Sequence, residues 1–275
     1  MKEFNPEVLK SLYIPATDSH KGQNGKLLII GGSHLFHAAS LWALDVASKI
    51  VDMVFYSSVP ENNEIVQRAK EEFRNGIVVP RDKVGSYIQE ADAVLIGPGL
   101  PRLDGQEMGD DDTKSLSEGL LQKYPNNQWV IDGGSLQTIT KDIVVTLEKM
   151  PILTPHPKEF KTLFGLEATE ATIAEMAKKY HCIIVVKGQK DVVCSPTECV
   201  EIAGGNAGMT KGGTGDVLAG LIAALATKND AFLAATAGSY INKKAGEALA
   251  EKVGIYFNAS DLADEIPAVM KDLLQ

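Results

Sequence analysis

Short apolar runs, each closed by glycine or a polar residue, recur along the chain with longer mixed stretches between them. Lys26 to Gly31, Asp52 to Ser57, Ala93 to Gly97, Trp129 to Asp132, Ile152 to Thr154 and Cys182 to Lys187 are apolar at consecutive positions. That is the pattern of strands buried on both faces. Ala38 to Ile50, Glu61 to Arg74, Ser115 to Tyr124 and Ala171 to Tyr180 have helical composition or spacing. The alternation predicts an α/β fold, a mainly parallel central sheet flanked by helices on both faces. Asp191 to Cys194 and Cys199 to Ile202, split by Ser195-Pro196-Thr197, predict a hairpin after the last parallel strand, and the chain from Val217 onward predicts helix almost throughout. No linker, repeat or low-complexity block intervenes, so residues 1–275 read as a single domain.

The run Asn206-Ala-Gly-Met-Thr-Lys-Gly-Gly-Thr-Gly-Asp-Val-Leu-Ala-Gly220 joins a glycine turn, one carboxylate and an apolar segment. Gly212, Gly213 and Gly215 lack a Cβ, so the backbone can take positive φ and let a ligand approach its N–H groups. The segment after Asp216 is apolar all round, as a buried helix is. Its first turn, with unpaired N–H groups and the positive end of the macrodipole, faces the glycines and suits a phosphate. Asp216 at that mouth either caps the helix or takes a proton from a substrate hydroxyl during phosphoryl transfer. The order of a Walker A loop is absent.

Ligands of parallel sheets gather beyond the carboxyl ends of the strands. Gly31-Gly32-Ser33, Gly97-Pro98-Gly99, Asp132-Gly133-Gly134, Thr154-Pro155-His156-Pro157 and Lys187-Gly188 all stand there. His156, between two prolines, is held in a stiff extended segment where it serves either as a ligand contact or as a structural residue. Lys187 ends a buried strand, a poor place for an unpaired ammonium, and meets either a phosphate or a neighbouring carboxylate.

The net charge of −9 gives no basic stripe for nucleic acid. The N-terminus has no hydrophobic signal core and no uninterrupted apolar run reaches membrane-spanning length, so a cytoplasmic enzyme is expected. Cys182, Cys194 and Cys199 are odd in number and lack Cys-x-x-Cys spacing, which predicts neither a disulfide framework nor a zinc site. The stretch Asp104 to Asp112 clusters carboxylates without a spacing that fixes coordination, and is expected to be a solvated loop.

Taken in order, these motifs resemble the ADP/ATP-dependent NAD(P)H-hydrate dehydratases of the ribokinase-like superfamily. The matching stretches are Asp18 to Gly22 with Gly25 to Ser33, Ile96 to Leu100, Leu153 to Phe160, Val186 to Gly188 and Gly205 to Gly220. The resemblance implies that Ala39, Gly99 and His156 contact the hydrated nicotinamide nucleotide. It also implies that Lys187, Gly188, Gln189, Lys190 and Asp191, with the Gly212, Gly213, Thr214 and Gly215 turn, hold the adenine nucleotide, and that Asp216 is the catalytic base. It further implies ADP in preference to ATP, Mg2+ on the phosphates, and a homo-oligomer, often a tetramer. Members often carry an N-terminal epimerase domain, for which this length leaves no room, so the dehydratase alone is expected. The chain departs from the family at Ala38-Ala39, at Ile50 to Val54 and at Asp132 to Leu136, where a second carboxylate is missing. Two other readings remain: a small-molecule kinase of the same superfamily, and a nucleotide-binding regulator without turnover.

Overall fold

The structure is a computed structural model and describes residues 1–73, 75–102 and 105–274. Arg74, where the second helix was expected to end, and Asp104, the first residue of the acidic stretch, lie outside the described residues.

In chain order the elements begin with β1 (Lys2–Glu3), β2 (Lys26–Ile30), α1 (His37–Ser48), β3 (Met53–Ser57), α2 (Pro60–Phe73), β4 (Ile77–Val78) and α3 (Val84–Glu90). The middle of the chain forms β5 (Ala93–Ile96), α4 (Thr113–Lys123), β6 (Gln128–Ile131), α5 (Gly133–Thr138), β7 (Ile152–Leu153), α6 (Pro157–Phe164) and α7 (Glu170–Lys179). It ends with β8 (Ile183–Val186), β9 (Asp191–Cys194), β10 (Cys199–Ile202), α8 (Thr214–Ala226), α9 (Ala231–Val253) and α10 (Ala259–Leu274). One 10-stranded sheet runs in the order β1-β10-β9-β8-β7-β6-β5-β2-β3-β4. From β8 through β4 every neighbouring pair is parallel, and only the pairs made by β9 are antiparallel.

Alternation along β2 shows why the central strands read as unbroken apolar runs. Leu27 and Ile29 pack into the layer made with α1, α8, α9 and α10, while Leu28 and Ile30 pack into the opposite layer with Trp129, Phe160 and Ile173. All four are fully buried, because helices cover both faces. From Val217 to Ala226 every residue of α8 is buried, so its apolarity belongs to the core.

One expectation needs correction. Cys194 and Cys199 form a disulfide, since the hairpin sets them directly opposite each other with Cα atoms 4.1 Å apart. Cys-x-x-Cys spacing is no guide to a bond made across a turn. The acidic stretch, over residues 105–112, is the largely exposed loop expected, and it is tethered at two points: Asp110 Oδ1 accepts from the His34 backbone N–H at 3.0 Å and lies 2.7 Å from His34 Nδ1, and Asp111 accepts from Arg81 at 2.6 Å. Counter-charges 30 and 76 positions away, invisible to local reading, hold it. Among the described residues no helix is long and apolar enough to cross a membrane.

Candidate active site at the strand ends

Because β2, β5, β6, β7 and β8 are parallel neighbours, the five loops that follow them share one edge of the sheet. They are stitched backbone to backbone. Gly32 N–H donates to Pro98 O at 2.8 Å, Gly134 N–H to Gly97 O at 3.2 Å and Lys187 N–H to Pro155 O at 3.0 Å. Gly97, at φ 122°, stands so close to the next loop that a Cβ would lie 1.8 Å from the Asp132 carbonyl oxygen. Gly99 lies against the backbone of Gly32 and Phe36, beside the start of α1.

The glycine turn enters this edge from the other side. Gly213, at φ 94°, is the N-cap of α8 and offers no side-chain cap, and Asp216 lies inside the first turn, so of its two readings the cap is set aside. Of the three glycines of the turn only Gly213 takes positive φ. A Cβ there would also meet the Trp42 ring at 2.4 Å, which seats the turn on α1. Ala39, one helical turn before Trp42, is on the same face of α1. Around Gly212 a Cβ would meet nothing within 4 Å, so its backbone is open to a ligand. Replacing Gly212 by Ala should leave the melting temperature within about 2 °C of wild type while weakening nucleotide binding. A calorimetric titration with ADP measures the second effect.

Lys187 takes up the carboxylate alternative of its two readings. Its Nζ donates to Asp132 Oδ1 at 2.8 Å, and the same oxygen accepts from Thr154 Oγ1 at 2.7 Å. The ammonium also lies 3.4 Å from where a Cβ of Gly215 would be, which brings it to the first turn of α8. Burial would lower the Lys187 pKa, but the charges of Asp132, Glu159 and Asp216 outweigh it and hold the ammonium above its ordinary value. Asp216 is pushed up to about 7 by burial first and by the Asp132 charge next, with Lys187 opposing. Among the described residues no other side chain donates a hydrogen bond to it.

His156 is the N-cap of α6, with Pro157 at a position where a missing N–H costs nothing. Its Nδ1 accepts from Lys158 N–H at 3.1 Å and Glu159 N–H at 3.2 Å, while Glu159 returns a bond to His156 N–H at 2.9 Å. Burial and the nearby Lys187 charge lower its pKa, so the ring is neutral at pH 7 and carries its proton on Nε2. The residue is structural through one nitrogen and leaves the other as a donor.

The 188–191 turn is built from within. Asp191 is buried and accepts from Gly188 N–H at 2.9 Å and Ser239 Oγ at 2.6 Å. Lys243, buried on α9, pairs with Asp191 at 3.2 Å and donates to the carbonyls of Gly188 and Gln189. The Asp191 side chain therefore shapes the turn. Thr214 likewise spends its hydroxyl on Met209 O and Lys211 O. Gln189 and Lys190 are exposed, Lys190 donating to Glu201 at 2.6 Å. Sequence reading named Thr154 only as part of a strand-end stretch and missed Glu159, Ser239 and Lys243. For Glu159 a signal existed, a residue able to accept at the N-cap followed three positions later by Glu.

The fold is ribokinase-like. A ribokinase-like superfamily protein from Enterococcus faecalis superposes with a TM-score of 0.85 at 22% identity, covering 100% of this chain and 96% of the other. The family model Carb_kinase, NAD(P)H-hydrate dehydratase, matches residues 27–268, and the chain belongs to that family. The ADP-dependent (S)-NAD(P)H-hydrate dehydratase of Cenarchaeum symbiosum is 32% identical over 92% of this chain and 91% of its own length. The bifunctional NAD(P)H-hydrate repair enzyme of Methanocaldococcus jannaschii is 36% identical over 96% of this chain, which spans 51% of that longer protein.

Proposed function

We propose that this chain is an ADP-dependent (S)-NAD(P)H-hydrate dehydratase, returning hydrated NADH or NADPH to the usable coenzyme. The observation that carries the reading is Asp216: a carboxylate raised to about 7, with no side-chain donor among the described residues, at an open glycine helix start. A group that takes up protons near neutral pH is suited to general base catalysis at that pH.

Asp216 accepts the proton of the hydrate's hydroxyl as the oxygen attacks the terminal phosphorus of ADP, and the P–O bond to AMP breaks. The first-turn amides of α8, with the Gly212–Gly213 backbone, meet the charge on the phosphoryl oxygens. The C–O bond of the phosphoester then breaks as the ring nitrogen's lone pair moves in, phosphate departs and loss of a ring proton restores the dihydronicotinamide. Ala39, Gly99 and the His156 Nε2 donor are assigned to the hydrated nucleotide, and the 188–191 turn to ADP.

Among the described residues no group of three or more His, Cys, Asp or Glu is placed to hold a metal ion. Magnesium is assigned to the nucleotide's own phosphates, and no step is routed through it. A cytoplasmic homo-oligomer completes the reading.

Phosphorus NMR on a mixture of protein, NADH hydrate, magnesium and ADP separates this activity from a kinase. The dehydratase yields AMP and inorganic phosphate in equal amounts. A phosphoester that accumulates without free phosphate would instead make the chain a kinase.

A further inference from the structure

Asp132 is central to the site, yet the proposed reaction gives it no task. It is 2% exposed at the end of β6, and its Oδ1 accepts from both Thr154 and Lys187. Lys187 also feels the charges of Asp132, Glu159 and Asp216 together. A single cation cannot neutralise three carboxylates away from bulk water, so such a cluster shares protons as a unit.

Hydrogen bonding decides where the proton goes. Asp132 holds the contact ion pair with Lys187. Glu159 accepts from His156 N–H at 2.9 Å and from Gln137 Nε2 at 3.0 Å. Asp216 has no such donor among the described residues. The charged and titratable groups facing the cluster are Asp132 from β6, Glu159 and His156 from α6, Lys187 from β8, and Arg102 from the loop after β5, which acts on His156.

We infer that Asp132 is a positioning residue for Asp216: it anchors the Lys187 ammonium through a direct ion pair and sets a fixed buried negative charge near Asp216, which leaves Asp216 as the proton acceptor of the cluster. This rests on the proposed reading of Asp216 as the base. Two consequences of opposite sign follow. Asparagine at 132 keeps the shape but removes the negative charge and frees the ammonium, so Asp216 should give up its proton more readily. Methionine at 187 removes the cation, so the cluster should take up its first proton at higher pH.

The test is a carbon-13 NMR titration of the side-chain carboxyls in wild type, Asp132→Asn and Lys187→Met, with folding checked by amide spectra. In Asp132→Asn the Asp216 titration should fall by about one pH unit or more. In Lys187→Met the first protonation of the cluster should rise. The acid limb of kcat in Asp132→Asn should move down with the NMR titration, and its plateau should fall by about threefold for each unit of that shift, because a weaker base takes the proton. An Asp216 titration unmoved in folded Asp132→Asn, or a cluster protonation unmoved in Lys187→Met, overturns the inference. If one variant does not fold, the other decides. Failure of wild type to restore NADH would refute the functional reading, while the NMR titrations would still judge the role of Asp132.

Discussion

Replacing Asp216 by Asn is expected to lower turnover by about 10²–10⁴-fold, the range for loss of a general base, with ADP binding retained. The amide keeps the volume and polarity of the helix mouth but cannot take the hydroxyl proton. Wild type should lose activity as pH falls through about 7, where Asp216 becomes protonated. The same substitution has an opposite effect on the fold. The folded pKa of Asp216 stands above its reference value of 3.8, so its contribution to stability is fully present below that value and is lost as pH rises through about 7. At pH 8 its buried charge costs stability, and the Asn variant should be more stable by about 1–3 kcal/mol. The lower part of that range is favoured by the partial exposure of Asp216 and by proton sharing with its neighbours. Thermal melts at pH 5 and pH 8, read beside turnover, check both effects. An Asn variant that keeps wild-type turnover would remove Asp216 from the chemistry.

Gly97→Ala should damage fold and site together. A Cβ at that position would lie 1.8 Å from the Asp132 carbonyl oxygen and 2.7 Å from its carbonyl carbon. Both are backbone atoms with no rotamer to escape into. The φ of 122° is also one that alanine rarely takes. The loop after β6 must move, and Asp132, Thr154 and Lys187 move with it. A loss of about 3–5 kcal/mol is expected. In a chain of this length that lowers the melting temperature by roughly 10 °C. An unchanged melt would mean that the strand-end loops are not stacked as described.

The central sheet was legible because strands buried on both faces must be apolar along their buried length, as β5 and β8 are throughout and β2 is after Lys26. The helix after Asp216 was legible for the same reason. β1 and β4, two residues each, are too short to carry a period. α5 and α6 begin within Gly-Gly and Pro-His-Pro stretches, whose residues signal a turn and also suit the start of a helix. The strand-end loops and Asp216 could be named from residue types, but their pairings could not. Lys187 with Asp132 spans 55 positions and Ser239 with Asp191 spans 48, and no local pattern joins such partners. The Asp132 stretch drew attention for a carboxylate it lacks, whereas the acid it keeps is the one paired with Lys187.

The most direct measurement of the central claim is the recovery of absorbance at the dihydronicotinamide band when the protein is mixed with NADH hydrate, magnesium and ADP. The account predicts full recovery of the (S) form, dependent on the nucleotide and lost in Asp216→Asn. No recovery with either ADP or ATP, from protein shown to be folded, would contradict it.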